Sequence, residues 1–138
     1  MIIGIDTGCK TGFAVYDRKQ EKLVECVETS IHRALFKVLY YYLNEKIEKV
    51  LVEDARKRKV SKNNPNYEKR KQAVGSVKRD AKIWQDFLTD YKIPFELISP
   101  TENITKVSGD VFHKIFGVKV MSDNARDAGM LVLKEINK

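Results

Sequence analysis

No apolar run in the sequence approaches the ~18 residues that a membrane-spanning helix requires, and the first residues lack the basic, apolar and small-residue regions of a secretory signal. These absences lead to the expectation of a soluble, cytoplasmic protein. Cysteine is scarce. Cys9 and Cys26 have neither the spacing of a zinc site nor the density of a disulfide scaffold, which leaves two reduced thiols with no assigned role. Repeats, low-complexity tracts and a recognisable linker are also missing. The 138 residues are therefore expected to form one domain, 1–138, large enough to bury a core without covalent staples.

Acid is in short supply relative to base, and the shortfall is local. The stretch RKRKVSKNNPNYEKRK, residues 56–71, holds Arg56, Lys57, Arg58, Lys59, Lys62, Lys69, Arg70 and Lys71 against a single acid, Glu68, and so carries the whole formal net charge of +7. A charge run of this kind is most often a solvated loop. Its position beside the candidate site described below favours a polyanionic partner, nucleic acid, with these eight side chains as phosphate contacts.

What the sequence does contain is a change of period. IIGID (2–6) and GFAVY (12–16) are β-rich runs joined by a glycine-flanked turn, and KLVECVET (22–29) follows the polar turn DRKQEK as a third antiparallel strand. From Ile31 the apolar positions Ala34, Leu35, Val38, Leu39, Tyr42 and Leu43 recur at helical spacing, predicting an amphipathic helix over 31–46 with Ser30 as its N-cap. KVLVED (49–54) reads as a central strand buried on both faces. A long helix is expected over 67–91, with the stripe Val74, Val77, Ala81, Trp84, Leu88, Tyr91 toward the core and Ile83 and Phe87 on a flank left for a partner. PFELIS (94–99) is a fifth strand, a short helix is expected near 110–116, and Ser122 caps a last helix. Three antiparallel strands followed by alternating helices and strands make an α/β fold, a mixed five-stranded sheet with helices on both faces.

In such a sheet the first and fourth strands lie side by side and parallel, joined by the helix that crosses between them. Asp6 and Glu53 then emerge at the same carboxyl edge, where open α/β sheets place ligands. The last helix adds Asp123 and Asp127, one turn apart on one face. Singly, each acid has an ordinary role: Asp6 in a turn, Asp123 at a positive helix N-terminus, Asp127 at the surface. Glu53, finishing a buried apolar strand, is costly to desolvate without a compensating charge. Four converging carboxylates suit a hard divalent cation, Mg²⁺ or Mn²⁺. Asp54 points to the opposite side by strand alternation and is placed outside this site.

The order of these motifs, IGIDTG with its glycine hairpin, LVED closing the fourth strand, the long helix around QAVGSVKRD and the terminal SDNARDAGML, resembles the RuvC-type Holliday junction resolvases of the RNase H-like fold, and among them the small phage members. The likeness runs along almost the whole chain. The actin-like and sugar-kinase ATPases also open on an Asp-x-Gly hairpin, but they need a second large domain for which this chain has no room. The resemblance implies that Asp6, Glu53, Asp123 and Asp127 are the catalytic and metal-binding acids. Some members space the last pair by three residues, which here puts Asn124 in place of Asp123. Lysines between the fifth strand and the last helix assist catalysis in the family, and Lys106 or Lys114 matches that position. Ribonuclease H proper has an essential acid inside its first helix, where this chain offers only Glu45 at the far end.

The expected activity is a structure-specific endonuclease acting on branched DNA, above all four-way junctions, through two metal ions about 4 Å apart. A homodimer, as in the family, matches the pseudo-two-fold symmetry of a junction and makes paired nicks. If the gene is phage-borne, the compartment is the host cytoplasm. The competing readings are a noncatalytic branched-DNA or structured-RNA binding module and a ribonuclease H-like enzyme that cuts hybrids.

Overall fold

The computed structural model describes residues 1–57, 62–100 and 106–138. Strands β1 (Ile2–Asp6), β2 (Lys10–Asp17) and β3 (Lys22–Ser30) lead into helix α1 (Ile31–Asn44); then come β4 (Lys49–Glu53), α2 (Tyr67–Asp90), β5 (Phe95–Ile98), α3 (Gly109–Phe116) and α4 (Asp123–Ile136). The sheet order is β3-β2-β1-β4-β5. The first three strands are antiparallel, and β1, β4 and β5 run parallel. This is the mixed five-stranded sheet expected from the sequence. No described helix is long and apolar enough to cross a membrane.

Strand alternation divides the core into two layers. Ile3, Ile5, Phe13, Val15, Val50 and Val52 face α1 and α2, where they meet Ala34, Val38, Trp84 and Leu88. Ile2, Ala14, Leu51 and Ile98 face the other way, toward Phe112 of α3 and Ala128, Leu131 and Val132 of α4. Fully buried runs such as IIGID form strands because both faces of a central strand must be apolar.

Local expectations differ from the structure at several places, among them Tyr42 and Leu43, read as part of the apolar stripe of the first helix but exposed near its end at Asn44. Ser30 stands at the N-cap of α1 but makes no capping bond; its hydroxyl meets the His32 ring at 3.3 Å instead. Tyr91 is not part of the buried stripe. The chain leaves α2 at Asp90, and the Tyr91 ring lies on the outside between Phe87 (5.0 Å) and Tyr42 (6.2 Å). Phe87, read as a flank for a partner, packs partly against the core and edge-on to Trp84 at 6.1 Å, whereas Ile83 is exposed. The side chains of Val74 and Val77 lie outside the described ones. Ser122 and Ser108 cap α4 and α3, each accepting an N–H bond at 3.2 Å, and Gly117, with φ of +73°, closes α3 in the left-handed conformation that glycine adopts freely.

Helix α4 crosses the sheet in direct backbone contact. A Cβ on Gly4 would stand 2.1 Å from the Ala128 carbonyl oxygen, and one on Gly12 would stand 1.9 Å from that of Asn124. Because backbone rather than a flexible side chain fills the space, Gly4→Ala is expected to cost at least about 2 kcal/mol of stability. Gly75, in α2, has nothing within 4 Å of its missing Cβ, so Gly75→Ala should gain about 0.5–1 kcal/mol. Urea titration of both variants measures the contrast; equal midpoints would contradict the close approach.

Candidate active site

The parallel register Ile5↔Val52 brings the next residues, Asp6 and Glu53, to the carboxyl edge side by side. Asp6 continues the face of Ile2 and Gly4, and Glu53 that of Leu51, so both belong to the α4 side of the sheet. Both are buried, and the Thr7 hydroxyl donates to the Glu53 carbonyl at 3.1 Å, tying the two strand ends together.

The contact of Gly12 with Asn124 and of Gly4 with Ala128 sets α4 so that Asp127, between those two residues, comes down over this edge. Burial and then the charge of Glu53 raise its carboxyl to about 6, against the opposing pull of Lys106; Asp123 raises it further and Arg126 lowers it. Asp127 thus lies close enough to Glu53 to feel its charge.

Asp123 behaves differently. It opens α4 with a side chain 87 % exposed and pairs with Arg126 one turn on. Arg126 is itself nearly buried and donates to the carbonyls of Val107 (3.2 Å), Val120 (2.8 Å) and Met121 (2.9 Å). Asn124, the alternative to Asp123, donates from its amide to Glu28 at 2.9 Å, and Ser122 donates to the same oxygen at 2.7 Å. These bonds, led by that from Ser122, hold the Glu28 carboxyl below its ordinary value. Glu28 is thereby a clamp on the first turn of α4 that the sequence reading missed. Its signal was the alternation of β3, which puts Glu28 on the same face as Cys26, and the Cys26 thiol in turn donates to the Ala125 carbonyl at 3.1 Å. Burial pushes that thiol up to about 12. Cys9 is an exposed free thiol.

A cleft of about 470 Å³ opens between the start of α4 and the segment before α3, lined by Lys106, Ser108, Asp123, Asn124, Arg126 and Asp127 among others. Lys106 therefore reaches the site, while Lys114 is exposed on α3 and does not line this cleft. Asp54 points away, as expected from alternation: both its oxygens receive the Arg56 guanidinium, at 2.8 and 2.9 Å, and Arg56 also donates to Gln85 of α2 at 2.7 Å. The fork of Arg56, read from sequence as a phosphate contact, is occupied within the chain. Lys57 lies in a short 3-10 turn, Ala55–Lys57, and Arg58 and Lys59 fall outside the described residues. Lys62, Lys69, Arg70 and Lys71 are exposed, the last with its ammonium 5.7 Å from the centre of the Tyr67 ring.

Among the described residues, no three His, Cys, Asp or Glu side chains form a closed group around a point where a metal ion would sit. The chemistry of the donors nevertheless fits a hard divalent cation, since the set is all carboxylate and the negative charge of Glu53 acts on Asp127.

No protein-family model and no curated protein sequence matches the chain. Solved structures do. Thermus thermophilus RuvC in complex with a Holliday junction substrate superposes with a TM-score of 0.56 at 16 % identity over 99 % of this chain and 94 % of that one. The fold is the RNase H-like fold of RuvC. Fowlpox virus resolvase in complex with Holliday junction DNA gives a TM-score of 0.53 at 14 % identity over 99 % of both chains. A second Thermus thermophilus RuvC structure gives 0.51 at 17 % identity over 99 % of this chain and 95 % of that one.

The raised Asp127 carboxyl has a consequence for stability. The folded protein holds this proton up to about pH 6, against 3.8 for an ordinary aspartate, so the favourable linkage is complete below 3.8 and is lost as pH rises through 6. Asp127→Asn, uncharged at every pH, should stabilise the protein in chelator at pH 7.5 by about 1 kcal/mol, solvent screening of this half-buried group having been discounted. The gain should fade toward pH 4. Thermal melts of the two proteins across this range check it, and a destabilised variant at pH 7.5 would contradict the placement of Asp127.

Proposed function

We propose that the protein is a divalent-metal-dependent endonuclease that resolves four-way DNA junctions, and branched DNA of related geometry, by paired nicks from a homodimer. The observation that supports this reading is the side-by-side placement of Asp6 and Glu53 at the carboxyl edge of the sheet, with Asp127 of α4 raised by burial and by the charge of Glu53. Two neighbours of the same fold, Thermus RuvC and the fowlpox resolvase, were solved with Holliday junction DNA, which supports the substrate class.

Asp6, Glu53 and Asp127 would hold two Mg²⁺ or Mn²⁺ ions, with Asp123 joining them by leaving Arg126. Bound there, such ions would supply a water of lowered pKa and offset the charge of the phosphate. The protein's own groups supply the rest. Lys106, whose charge acts on Asp127, brings a positive group to the cleft where the phosphate would lie. Lys62, Lys69, Arg70 and Lys71 hold the backbone of the arms, and the salt-bridged Arg56 anchors the root of the basic segment to α2. Glu28, clamped to Ser122 and Asn124, keeps the first turn of α4 over β2.

A hybrid-cutting ribonuclease is disfavoured by Glu45. It stands at the C-cap of α1 and lines a pocket with Met1, Arg18 and Glu48, by the first residue of β1's side of the sheet, away from the edge that carries Asp6.

A supercoiled plasmid with an extruded cruciform tests the proposal. With Mg²⁺ the protein should yield linear DNA directly, and Asp6→Asn should bind junctions but leave the plasmid uncut, since it keeps the shape and removes a ligand charge. Accumulation of nicked circles from the unmodified protein, or faster cutting of an RNA–DNA hybrid, would overturn paired resolution.

A further inference from the structure

Met121 is 92 % exposed, the most exposed of the large apolar side chains described, and it immediately precedes the Ser122 cap of α4. Its exposure is not slackness of the chain. Arg126 grips the carbonyls of Val120 and Met121 at 2.8 and 2.9 Å, Val120 packs against the core, and Ser122 is bonded to Glu28. The backbone that carries this exposed thioether is therefore held, two residues before Asp123, which lines the cleft. Val111 and Ile115, one turn apart on α3, and Val118 of the same segment are also exposed.

The charges of this segment indicate what covers it. Residues 110–123 include His113, Lys114 and Lys119, all exposed, against Asp110 in the first turn of α3 and Asp123, which Arg126 pairs. The core of a protein–protein interface is depleted of charge, and lysines set among apolar tips do not fit it. Apolar wedges of Met, Ile or Leu flanked by cations do fit nucleic acid: the cations take phosphates while the wedge enters between bases and holds them unstacked. A branch point offers such a step at low cost, because stacking is already interrupted there.

We propose that Met121 is an apolar wedge that unstacks a base beside the scissile phosphate of branched DNA, with Lys119 holding the adjacent backbone. The inference rests on the reading of the protein as a branched-DNA nuclease and adds the feature that recognises the branch. It assigns Met121 to substrate distortion and gives it no part in the chemistry at the carboxylates.

Four-way junctions carrying 2-aminopurine at the branch-point nucleotides, mixed with the protein in chelator so that the DNA stays intact, test the proposal. Fluorescence should rise on binding of the unmodified protein as the reporter base leaves its stack. Met121→Ser should bind with its melting temperature unchanged and lose the rise, Met121→Leu should restore it, and Lys119→Ala should weaken binding but leave the rise at saturation intact. A full rise with Met121→Ser, or none with the unmodified protein bound, would overturn the wedge while leaving the nuclease reading standing. Failure of the unmodified protein to bind junctions at all would overturn both. A change of oligomeric state in Met121→Ser by sedimentation would overturn the wedge in favour of a contact between copies of the chain.

Discussion

Helix α4 rests on the sheet with no side chain between them at two points, and the candidate site follows from that contact. Gly4 on β1 and Gly12 on β2 leave room for the carbonyls of Ala128 and Asn124, the residues that bracket Asp127. A single added methyl at either strand position would lift the helix. Gly129 repeats the pattern on the helix itself, where a Cβ would meet the Phe112 ring at 2.7 Å. The close approach brings an acidic helix turn onto an acidic sheet edge, an arrangement that hydrophobic packing alone would not select.

Side-chain bonds at both ends of α4 fix its direction across the strands. At the start, Glu28 and Cys26 of β3 hold Ser122, Asn124 and Ala125. At the far end, Lys49 of β4 pairs with Glu135 at 3.0 Å. Exposed pairs of this kind contribute little singly, but Glu135 is nearly buried and the ammonium facing it is held in place. On the opposite face of the sheet, Asp54 and Arg56 perform the matching task for the basic segment, rooting it on Gln85 of α2. Adjacent residues of one strand end thus serve opposite needs: Glu53 faces the site and Asp54 faces away to build support.

The sheet, its helices and the meeting of Asp6 with Glu53 were legible because they depend on periodicity. Alternation assigns strand faces, the 3.6-residue repeat assigns helix stripes, and the parallel pairing of β1 with β4 follows from the crossover helix. What escaped was side-chain pairing. The occupation of Asp123 by Arg126, of Asn124 by Glu28 and of Arg56 by Asp54 leaves no mark in hydropathy, and the Glu28 bonds join residues 94 and 96 positions apart. Gly4 did carry a signal, since a glycine inside an otherwise apolar strand marks a close backbone approach, but the sequence does not name the helix that makes it.

In the proposed reading, the seating of α4 on these glycines brings Asp127 to the carboxylate edge that would hold divalent metal. The most direct measurement is Mn²⁺ binding, read by electron paramagnetic resonance without DNA, for the unmodified protein and for Gly12→Ala at a temperature where circular dichroism shows both folded. Saturable binding is expected of the unmodified protein and its loss in Gly12→Ala, because the displaced helix carries Asp127 away from the sheet edge that holds Glu53. A folded Gly12→Ala that binds Mn²⁺ as tightly as the unmodified protein would contradict it.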